Sequence, residues 1–481
     1  MHSKLKKKMR IRYILLPLLA LFCAFSASAQ DITHPKYEVR AVWLTTIGGL
    51  DWPHCYSQSQ NSAKRQQKEL TDILDRLQRA NINTVLLQTR VRATTIYPSA
   101  IEPWDGCMEG HPGKSPGYDP LAFAIEECHR RGMELHAWVV AIPVGKWNGT
   151  GCKRLNAKHK GLVKRIGAEG YMRPENPMTA TYIADICDEI TRNYDIDGIH
   201  LDYIRYPEQE KLKAASLPAC RSNITRIVRA VSARVKKNKP WVKLSCSPLG
   251  KYCDLTRYRS NGWNAYNTVA QDAQGWLREG LMDQLYPMMY YKGNHFFPFA
   301  EDWRENDCGR SVASGLGIYF LSPREGNWTI DMVRRQLYFL RSEGIGHAFF
   351  RCKFLLDNVQ GVYDFVCDEL NRYPALVPPM KWQKNAAPAA PCNLNLDASG
   401  TSLSWQPSDS DTYLYNVYMS YDSPVDTGNP ANLIAVRVRE SGITLPATRA
   451  LFDIHYAVTA IDRYGNESHA TQITRKGIWK R

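Results

Sequence analysis

The chain has 481 residues, of which 44% are hydrophobic and 23% are charged, a composition typical of a folded protein with more than one domain. Its formal net charge is +15, but six basic and no acidic residues fall within the first 29 positions, which leaves +9 (15 − 6) for the rest. This mild excess does not discriminate among anionic partners. Because no zinc-finger, basic-zipper or RNA-binding signature accompanies it, the sequence argues against nucleic-acid binding.

Residues 1–29 have the pattern of a secretory signal peptide. A basic head is followed by an apolar run from Tyr13 to Phe25, and Ala27-Ser28-Ala29 forms an A-x-A cleavage signal. The alternative is a membrane anchor, but the apolar run is too short to cross a bilayer. The sequence therefore predicts an exported protein, periplasmic or extracellular, with no membrane span in the mature chain.

Thirteen cysteines are present, and Cys23 lies in the predicted leader. In an exported protein the remaining twelve permit disulfides, for which the loop cysteines are the better candidates. No C-x-x-C pair occurs, so we predict no zinc site, no other metal and no cofactor. The candidate loop cysteines are Cys55, Cys107, Cys152, Cys253 and Cys308.

From residue 37 to about residue 372, short apolar runs alternate with amphipathic segments. One helical stripe is formed by Leu70, Ile73, Leu74 and Leu77. Eight strand-then-helix units predict a (β/α)8 TIM barrel. The runner-up is an open doubly wound sheet, which the missing glycine-rich phosphate loop disfavours. The predicted strands are Val39–Thr45, Thr84–Gln88, Leu135–Val140, Asp197–Tyr203, Val242–Ser245, part of Met282–Tyr290, Gly317–Leu321 and His347–Arg351.

The fourth predicted strand carries His200 and Asp202 on one face and Ile199 and Leu201 on the other, because side chains alternate along a strand. A carboxylate that closes an apolar strand costs several kcal/mol unless it is paired or functional. The alternative explanation for Asp202 is a structural salt bridge with Arg205.

Barrel enzymes place the active site at the carboxyl ends of the strands. The residues near those ends are polar and aromatic, which suits a sugar, because aromatic faces stack on pyranose rings and polar groups bind their hydroxyls. The candidate substrate-binding residues are Trp43, Gln88, Arg90, Trp138, His200, Tyr203 and Tyr290.

Three ordered motifs carry a family resemblance. They are Ala41–Thr46 followed by Leu50-Asp51-Trp52-Pro53, Gln88-Thr89-Arg90 followed by Ile96-Tyr97-Pro98-Ser99, and Asp197–Tyr203. This pattern resembles the glycosyl-hydrolase-like 10 family of secreted bacterial (β/α)8 proteins. The resemblance implies glycoside hydrolase activity, and the family includes a division-associated enzyme that cleaves peptidoglycan glycan chains.

Glycoside hydrolysis uses two carboxyl groups, one to protonate the leaving oxygen and one as nucleophile or as base for water. We predict the second role for Asp202. Glu102 and Glu325 are the candidate acids, and Glu175 and Asp254 are weaker ones. Arg90 and His200 are expected to orient or charge-balance Asp202. Asp283 lies near the start of a strand and is interpreted as structural.

A basic segment from Gly145 to Gly170 follows the third strand on the same side of the predicted barrel. Most such charge runs are solvated faces. The alternative is a contact surface for an anionic glycan.

After residue 375 the composition changes. Residues 376–391 are rich in proline and alanine and predict a linker between the catalytic domain, residues 30–375, and a C-terminal domain, residues 392–481. Short alternating strands around Trp405 and Tyr456 predict a small all-β immunoglobulin-like sandwich that resembles a fibronectin type III domain. We expect this domain to be a spacer or docking surface without catalytic residues.

The expected function is that of a secreted glycoside hydrolase that cleaves a polysaccharide, with bacterial peptidoglycan as the expected substrate. The alternative is a non-catalytic glycan-binding protein that keeps the barrel cleft. No protein partner is predicted.

Overall fold

The structure is a computed structural model that describes residues 34–447 and 450–479. The predicted signal peptide lies outside the described residues. Within them, no helix has both the length and the apolar character needed to span a membrane.

The predicted barrel is confirmed. Eight strands form a closed barrel in which every neighbouring pair is parallel. In chain order the barrel strands are β1 (Arg40–Leu44), β2 (Thr84–Arg90), β3 (Glu134–Val140), β7 (Gly198–Asp202), β8 (Lys243–Cys246), β9 (Gln284–Leu285), β10 (Ser311–Leu316) and β11 (Gly346–Phe349), with β4 to β6 in an insert described below.

Helices follow the strands and cover the barrel. Helix α3 shows why they begin where they do: Pro120 takes the first helical position and the Asp119 carboxylate accepts from the backbone N–H groups of Leu121 and Ala122. The helices are α1 (Gln60–Arg79), α2 (Gly106–Glu109), α3 (Pro120–Arg130), α4 (Thr150–Lys158), α5 (Pro177–Asn193), α6 (Leu217–Asn238), α7 (Ala265–Thr268), α8 (Ala273–Arg278), α9 (Phe297–Glu305), α10 (Ile330–Ser342), α11 (Cys352–Leu356) and α12 (Val362–Phe365).

Two hydrophobic clusters hold the barrel together. The larger lies between strands and helices and includes Leu70, Leu74 and Leu77, so the predicted stripe of α1 faces the strands. The smaller fills the barrel interior, which is therefore a packed core and not a channel. Its buried members are Val39, Ala41, Trp43, Leu86, Trp138, Val140, Tyr286, Ala313 and Ala348.

The seventh barrel strand lies earlier than predicted. The sequence predicted Gly317–Leu321, but strand β10 ends at Leu316 and residues Ile318–Leu321 form a 3-10 turn. Ile318 and Leu321 are buried in the outer core, so this short apolar run is buried as a turn and not as a strand. Tyr319 consequently lies beyond the end of the strand.

The chain between β3 and α5 forms an insert at the carboxyl end of the barrel. It contains α4 and a three-stranded antiparallel sheet of β4 (Pro143–Lys146), β5 (Val163–Ile166) and β6 (Glu169–Met172). Gly151 explains the close packing of α4 on the loop after β2, because a Cβ there would lie 2.4 Å from the Ala93 carbonyl oxygen. The insert is therefore built into the barrel mouth.

The C-terminal domain consists of two antiparallel sheets, with strand orders β12-β13-β16 and β15-β14-β17-β18. Residues of both sheets share one core around Trp405, Val417 and Val458, as in a sandwich. The strands are β12 (Cys392–Leu396), β13 (Ser402–Gln406), β14 (Leu414–Ser420), β15 (Leu433–Val438), β16 (Gly442–Thr444), β17 (Ile454–Ile461) and β18 (Thr471–Arg475).

The sandwich packs on the amino-terminal end of the barrel, and residues 376–391 do not separate the two. Leu376 pairs with Tyr37 through a backbone bridge, and the Trp382 indole donates to Asp283, 2.9 Å away. The deepest contact is Arg437 of β15, which donates to Glu134 at 3.0 Å and to Asp197 at 2.6 Å. The domain expected to be a spacer or docking surface is thus in direct contact with the barrel.

All twelve cysteines of the described residues are free thiols. The loop cysteines, the better candidates for disulfides, therefore form none in this part of the chain. Cys107 and Cys152 are buried, so these two behave as small apolar residues.

Candidate active site

The candidate active site is built around Asp202, the last residue of β7. The side chain is 8% exposed at the carboxyl end of the barrel, where the ends of the eight strands converge. Three groups donate to its two oxygens. Ser247 Oγ lies 2.6 Å and the Tyr203 backbone nitrogen 2.8 Å from Oδ1, and Trp138 Nε1 lies 3.1 Å from Oδ2.

Asp202 has polar neighbours but no close cation. The nearest one, Arg205 Nη1, lies 4.0 Å from Oδ1, while the same guanidinium bonds directly to Glu208. Burial raises the pKa of Asp202 above its ordinary value of 3.8, and Arg205 and Ser247 oppose that rise without cancelling it. Asp202 is therefore not the member of a tight ion pair, which was the alternative explanation for it.

Tyr203 follows Asp202 in a strained conformation. Its φ is 51°, in the left-handed region that non-glycine residues rarely adopt, and its side chain is 39% exposed. The turn aims the Tyr203 backbone N–H at Asp202, and the Arg205 guanidinium lies 4.2 Å from the centre of the tyrosine ring. Such outliers are concentrated at functional sites because the surrounding structure must hold them.

His200 lies one layer below Asp202, inside the barrel. Trp43 Nε1 donates to its Nε2 at 3.2 Å, so the proton of the neutral ring is on Nδ1, which faces Ser245 Oγ at 3.0 Å. Burial lowers the pKa of His200 well below 6.5. His200 and Trp43, both predicted to bind substrate, are therefore buried neutral partners beneath the site.

An aromatic wall lines another part of the mouth. The Tyr290 ring stacks on Phe350 with ring centroids 5.7 Å apart, and Tyr319 contacts both edge-on. Burial raises the pKa of Tyr290, and the charge of Asp202 adds to the rise. Tyr290 therefore lies near Asp202, as the sequence predicted for residues at strand ends.

Gln88 and Arg90, at the end of β2, support loops. The Gln88 side-chain oxygen accepts from the backbone N–H groups of Thr46 and Ile47 at 3.0 and 2.9 Å. Arg90 is fully buried and forms two hydrogen bonds with Glu102, at 2.8 and 2.7 Å. We expected Arg90 to orient Asp202, but its carboxylate partner is Glu102.

The two predicted acids differ in their surroundings. The Glu102 side chain is 1% exposed and also accepts from the Tyr182 hydroxyl at 2.9 Å, so the Arg90 ion pair encloses it. Glu325 lies in an exposed loop before α10, and its charge contributes to the raised pKa of Tyr319, for which burial is the larger cause. Within the described residues, neither carboxylate forms a hydrogen bond or ion pair with Asp202 or with the groups that donate to it.

Glu208 is the mouth carboxylate that sequence reasoning missed. It lies in the loop between β7 and α6 and accepts from Arg205 Nε and Nη2 at 2.9 and 2.7 Å. The spacing of three residues from Arg205 was visible in the sequence, but it carries meaning only when the loop is known to be a turn.

In residues 34–447 and 450–479, no group of three histidine, cysteine, aspartate or glutamate side chains could hold a metal ion. The polar groups around Asp202 are hydroxyl, amide, indole and guanidinium donors, which suit a sugar and a carboxylate.

Comparisons with known proteins agree with this geometry. The family model described as Glycosyl hydrolase-like 10 matches residues 38–307. Glycosyl hydrolase YngK of Bacillus subtilis (strain 168) is 29% identical over 98% of this chain and 100% of its own length. Glycosyl hydrolase DigH of Escherichia coli (strain K12) is 30% identical over 59% of this chain and 76% of its own length.

Among solved structures, alpha-L-fucosidase isoenzyme 2 from Paenibacillus thiaminolyticus aligns with a TM-score of 0.47 at 14% identity, over 70% of this chain and 49% of that chain.

Proposed function

Because the chain belongs to the glycosyl hydrolase-like 10 family and is therefore a glycan-acting hydrolase, we propose that it cleaves a polysaccharide with two carboxyl groups, of which Asp202 is one. The observation that carries this proposal is a buried carboxyl group at the barrel mouth, fixed by three donors and without a close cation. A structural carboxylate in the same environment would be costly and without purpose.

The environment of Asp202 favours the role of proton donor over that of nucleophile or base, which the sequence predicted. Burial raises its pKa, so the protonated form persists to a higher pH than in an exposed aspartate. The donors from Ser247 and Trp138 fix the carboxyl group in one orientation. A general acid needs both a raised pKa and a fixed position relative to the leaving oxygen.

We propose bacterial cell-wall glycan as the substrate, reached through the predicted export of the chain. Exposed basic side chains of the insert lie beside the mouth and would attract an anionic polymer, which supports such a polymer as the substrate. They are Lys146, Lys153, Arg154, Lys158 and Lys160. No ion pair of these five side chains is found within the described residues. The exposed face of Tyr203 offers an aromatic surface for a sugar ring.

The test compares the wild type with Asp202→Asn on purified peptidoglycan, chitin, mannan and polygalacturonate. We expect the wild type to release reducing ends from at least one of them and Asp202→Asn to lose between about 100-fold and 10,000-fold in kcat, the usual contribution of a general acid or base. Asp185→Asn, on the surface of α5 beside Arg234, is the matched control and should retain full activity.

Two results would contradict the proposal. One is retention of activity by a folded Asp202→Asn variant. The other is wild-type binding to these glycans without release of reducing ends from any of them, which would favour the non-catalytic glycan-binding alternative.

A further inference from the structure

Arg205 connects Asp202 to a second carboxylate. Its side chain is 4% exposed and lies in the loop directly after β7. Nε and Nη2 donate to Glu208 Oε1, whereas Nη1 points to the Asp202 side, 4.0 Å from Oδ1. Nη1 is buried and has no hydrogen-bond partner among the described residues. A buried guanidinium nitrogen without an acceptor is expensive, and it is available to a substrate hydroxyl.

We propose that Glu208 is the second catalytic carboxylate, acting as nucleophile or as base for water opposite Asp202. This inference rests on the proposed glycan hydrolysis at Asp202 and names the partner that the reaction requires.

Arg205 limits the separation of the two carboxyl groups. Catalytic carboxyl pairs lie roughly 5–5.5 Å apart in retaining glycosidases and about 6.5–9.5 Å apart in inverting ones. Asp202 and Glu208 both contact the Arg205 guanidinium, at 4.0 and 2.7 Å, so these two contacts and the width of one guanidinium limit their separation. Arg205 therefore holds Glu208 within catalytic reach of Asp202.

Glu208 has an oxygen available for chemistry. Both hydrogen bonds from Arg205 go to Oε1, so Oε2 has no protein partner in the described part of the chain, and the side chain is 21% exposed. Two other carboxylates near the mouth, Glu102 and Asp51, differ. Glu102 is enclosed by Arg90, and Asp51 accepts from Thr45, Arg351 and the Lys353 backbone.

The charges of Asp202 and Glu208 both affect the pKa of Tyr203. Burial is the main cause of the raised pKa of Tyr203, and the charges of Asp202 and Glu208 each add to it. Tyr203 and Arg205 thus lie near both groups and offer a sugar ring an aromatic face and a cation.

The different partners suit different roles. Glu208 contacts the Arg205 guanidinium directly, at 2.7 Å, and this contact fixes the position of its carboxylate. Asp202 has no direct cation contact, which favours its protonated form.

In the bond-breaking step, Asp202 gives its proton to the glycosidic oxygen as the bond from that oxygen to the anomeric carbon breaks. Glu208 supplies the electrons on the other face, either by bonding to the anomeric carbon or by taking a proton from the attacking water. In the first case water later hydrolyses the ester, and ionised Asp202 takes the proton of that water.

The experiment uses the full-length mature chain and the glycan of the panel that the wild type cleaves. We expect Glu208→Gln to lose between about 100-fold and 10,000-fold in kcat with KM changed far less. Glu210→Gln is the matched control, because Glu210 lies in the same loop and is paired with Lys164 at 2.5 Å. It should retain full activity.

Glu208→Asp separates catalysis from structural support. A shortened carboxylate can still pair with Arg205, so a purely structural role predicts near wild-type activity, whereas a catalytic role predicts a loss of about 100-fold from misplacement. Sodium azide provides the second measurement. With Glu208→Ala, azide should restore turnover and yield a glycosyl azide of inverted configuration, because it replaces the group on that face.

The inference is overturned if Glu208→Asp or Glu208→Gln turns over like the wild type, or if azide yields a product of retained configuration. These results are distinct from failure of the proposed function, in which the wild type itself cleaves none of the glycans.

Discussion

The two ends of strand β7 carry buried carboxylates in opposite electrostatic environments. At the amino-terminal end, Asp197 accepts from His129 at 2.8 Å and from Arg437 at 2.6 Å. At the other end, Asp202 meets hydroxyl, backbone and indole donors, and its nearest cation is 4.0 Å away. The pKa of Asp197 is lowered, chiefly by the charges of His129 and Arg437 acting against burial, whereas burial raises that of Asp202.

Burial alone therefore does not distinguish a structural carboxylate from a functional one. At the amino-terminal end of the barrel each acidic group has direct cationic partners: Glu134 pairs with Lys243 and Arg437, and Arg437 also pairs with Asp197. At the mouth the shared cation Arg205 contacts Glu208 directly and leaves Asp202 at a distance. The ion pairs at the amino-terminal end of the barrel stabilise ionised carboxylates. At the mouth, the lack of a close cation leaves Asp202 able to bind a proton.

The most direct way to break this contrast is to neutralise each end of β7 in turn. We expect Asp202→Asn to lower kcat between about 100-fold and 10,000-fold. Its urea unfolding curve should match that of the wild type. Asp197→Asn should show the reverse, with about 3–5 kcal/mol lost from the free energy of unfolding, because it leaves the buried cations without their partner. Urea unfolding and reducing-end release on both variants provide the measurement. Equal loss of activity at equal protein stability would contradict the assignment.

Removing Arg437, the cation that the sandwich contributes, tests whether ion pairs stabilise the amino-terminal end of the barrel. Arg437→Ala should cost about 3–5 kcal/mol, because Glu134 and Asp197 would each lose a buried ionic partner. Arg439→Ala is the control. Its side chain is 53% exposed and pairs with Asp195, so its loss should cost less than about 1 kcal/mol. Urea titrations of both variants measure the free energies of unfolding. Equal, small decreases for both variants would mean that the sandwich does not stabilise the amino-terminal end of the barrel.

The decrease of stability at low pH should follow the titration of Glu134 and Asp197, the carboxylates at the amino-terminal end of the barrel. The pKa of Glu134 is lowered from 4.5 to about 2; burial acts to raise it, and the charges of Lys243 and Arg437 outweigh burial. A lowered pKa in the folded state contributes stability that is present above the unfolded value and is lost as the pH falls through the folded value. We therefore expect the free energy of unfolding to decrease from about pH 5 to pH 2.

Asp202 should contribute with the opposite sign. Because its folded-state pKa is raised, its contribution is present below the unfolded value and is lost as the pH rises through the folded value. Asp202→Asn should consequently be as stable as the wild type or slightly more stable at pH 7. Urea titrations between pH 3 and pH 7 on both proteins test this, and a destabilised Asp202→Asn at pH 7 would contradict it.

The smallest expected effect concerns the basic insert. Replacing Lys153, Arg154 and Lys158 of α4 by Gln should raise KM for polygalacturonate several-fold at low salt if that glycan is cleaved, because exposed charges act over a Debye length of about 10 Å at 0.1 M salt. At 1 M salt the difference should disappear. A neutral mannan serves as the control substrate, and an equal effect on both glycans would argue against charge attraction.

Much of the fold was predictable from hydrophobic periodicity. The alternation of apolar runs with amphipathic segments identified the barrel, and the i, i+2 rule placed His200 and Asp202 on one face of β7. Strand β10 was displaced, because Gly317–Leu321 is as apolar as a strand and only the packing shows that it forms a turn. Two-residue β9 was also too short for its boundaries to be predicted.

The site was predictable only where a residue ends a strand. Asp202 lies at the mouth for that reason, whereas Tyr290 belongs to the loop beyond β9. Glu102 was a candidate acid because it follows a strand in an apolar setting, but the sequence could not show that Arg90 encloses it. Glu208 was missed, since a loop carboxylate has no periodic signal. The role of Arg437, about 240 residues from Asp197, was beyond any local pattern.

The sequence by itself determined the alternation of strands and helices, the family motifs and the carboxylate at the end of β7, because these depend on local periodicity and short-range order. Only the tertiary structure decided which carboxylates receive a cation. That choice depends on contacts between residues far apart in the chain, and contacts of a few ångströms decide whether a buried acid is a structural anchor or a reactive group.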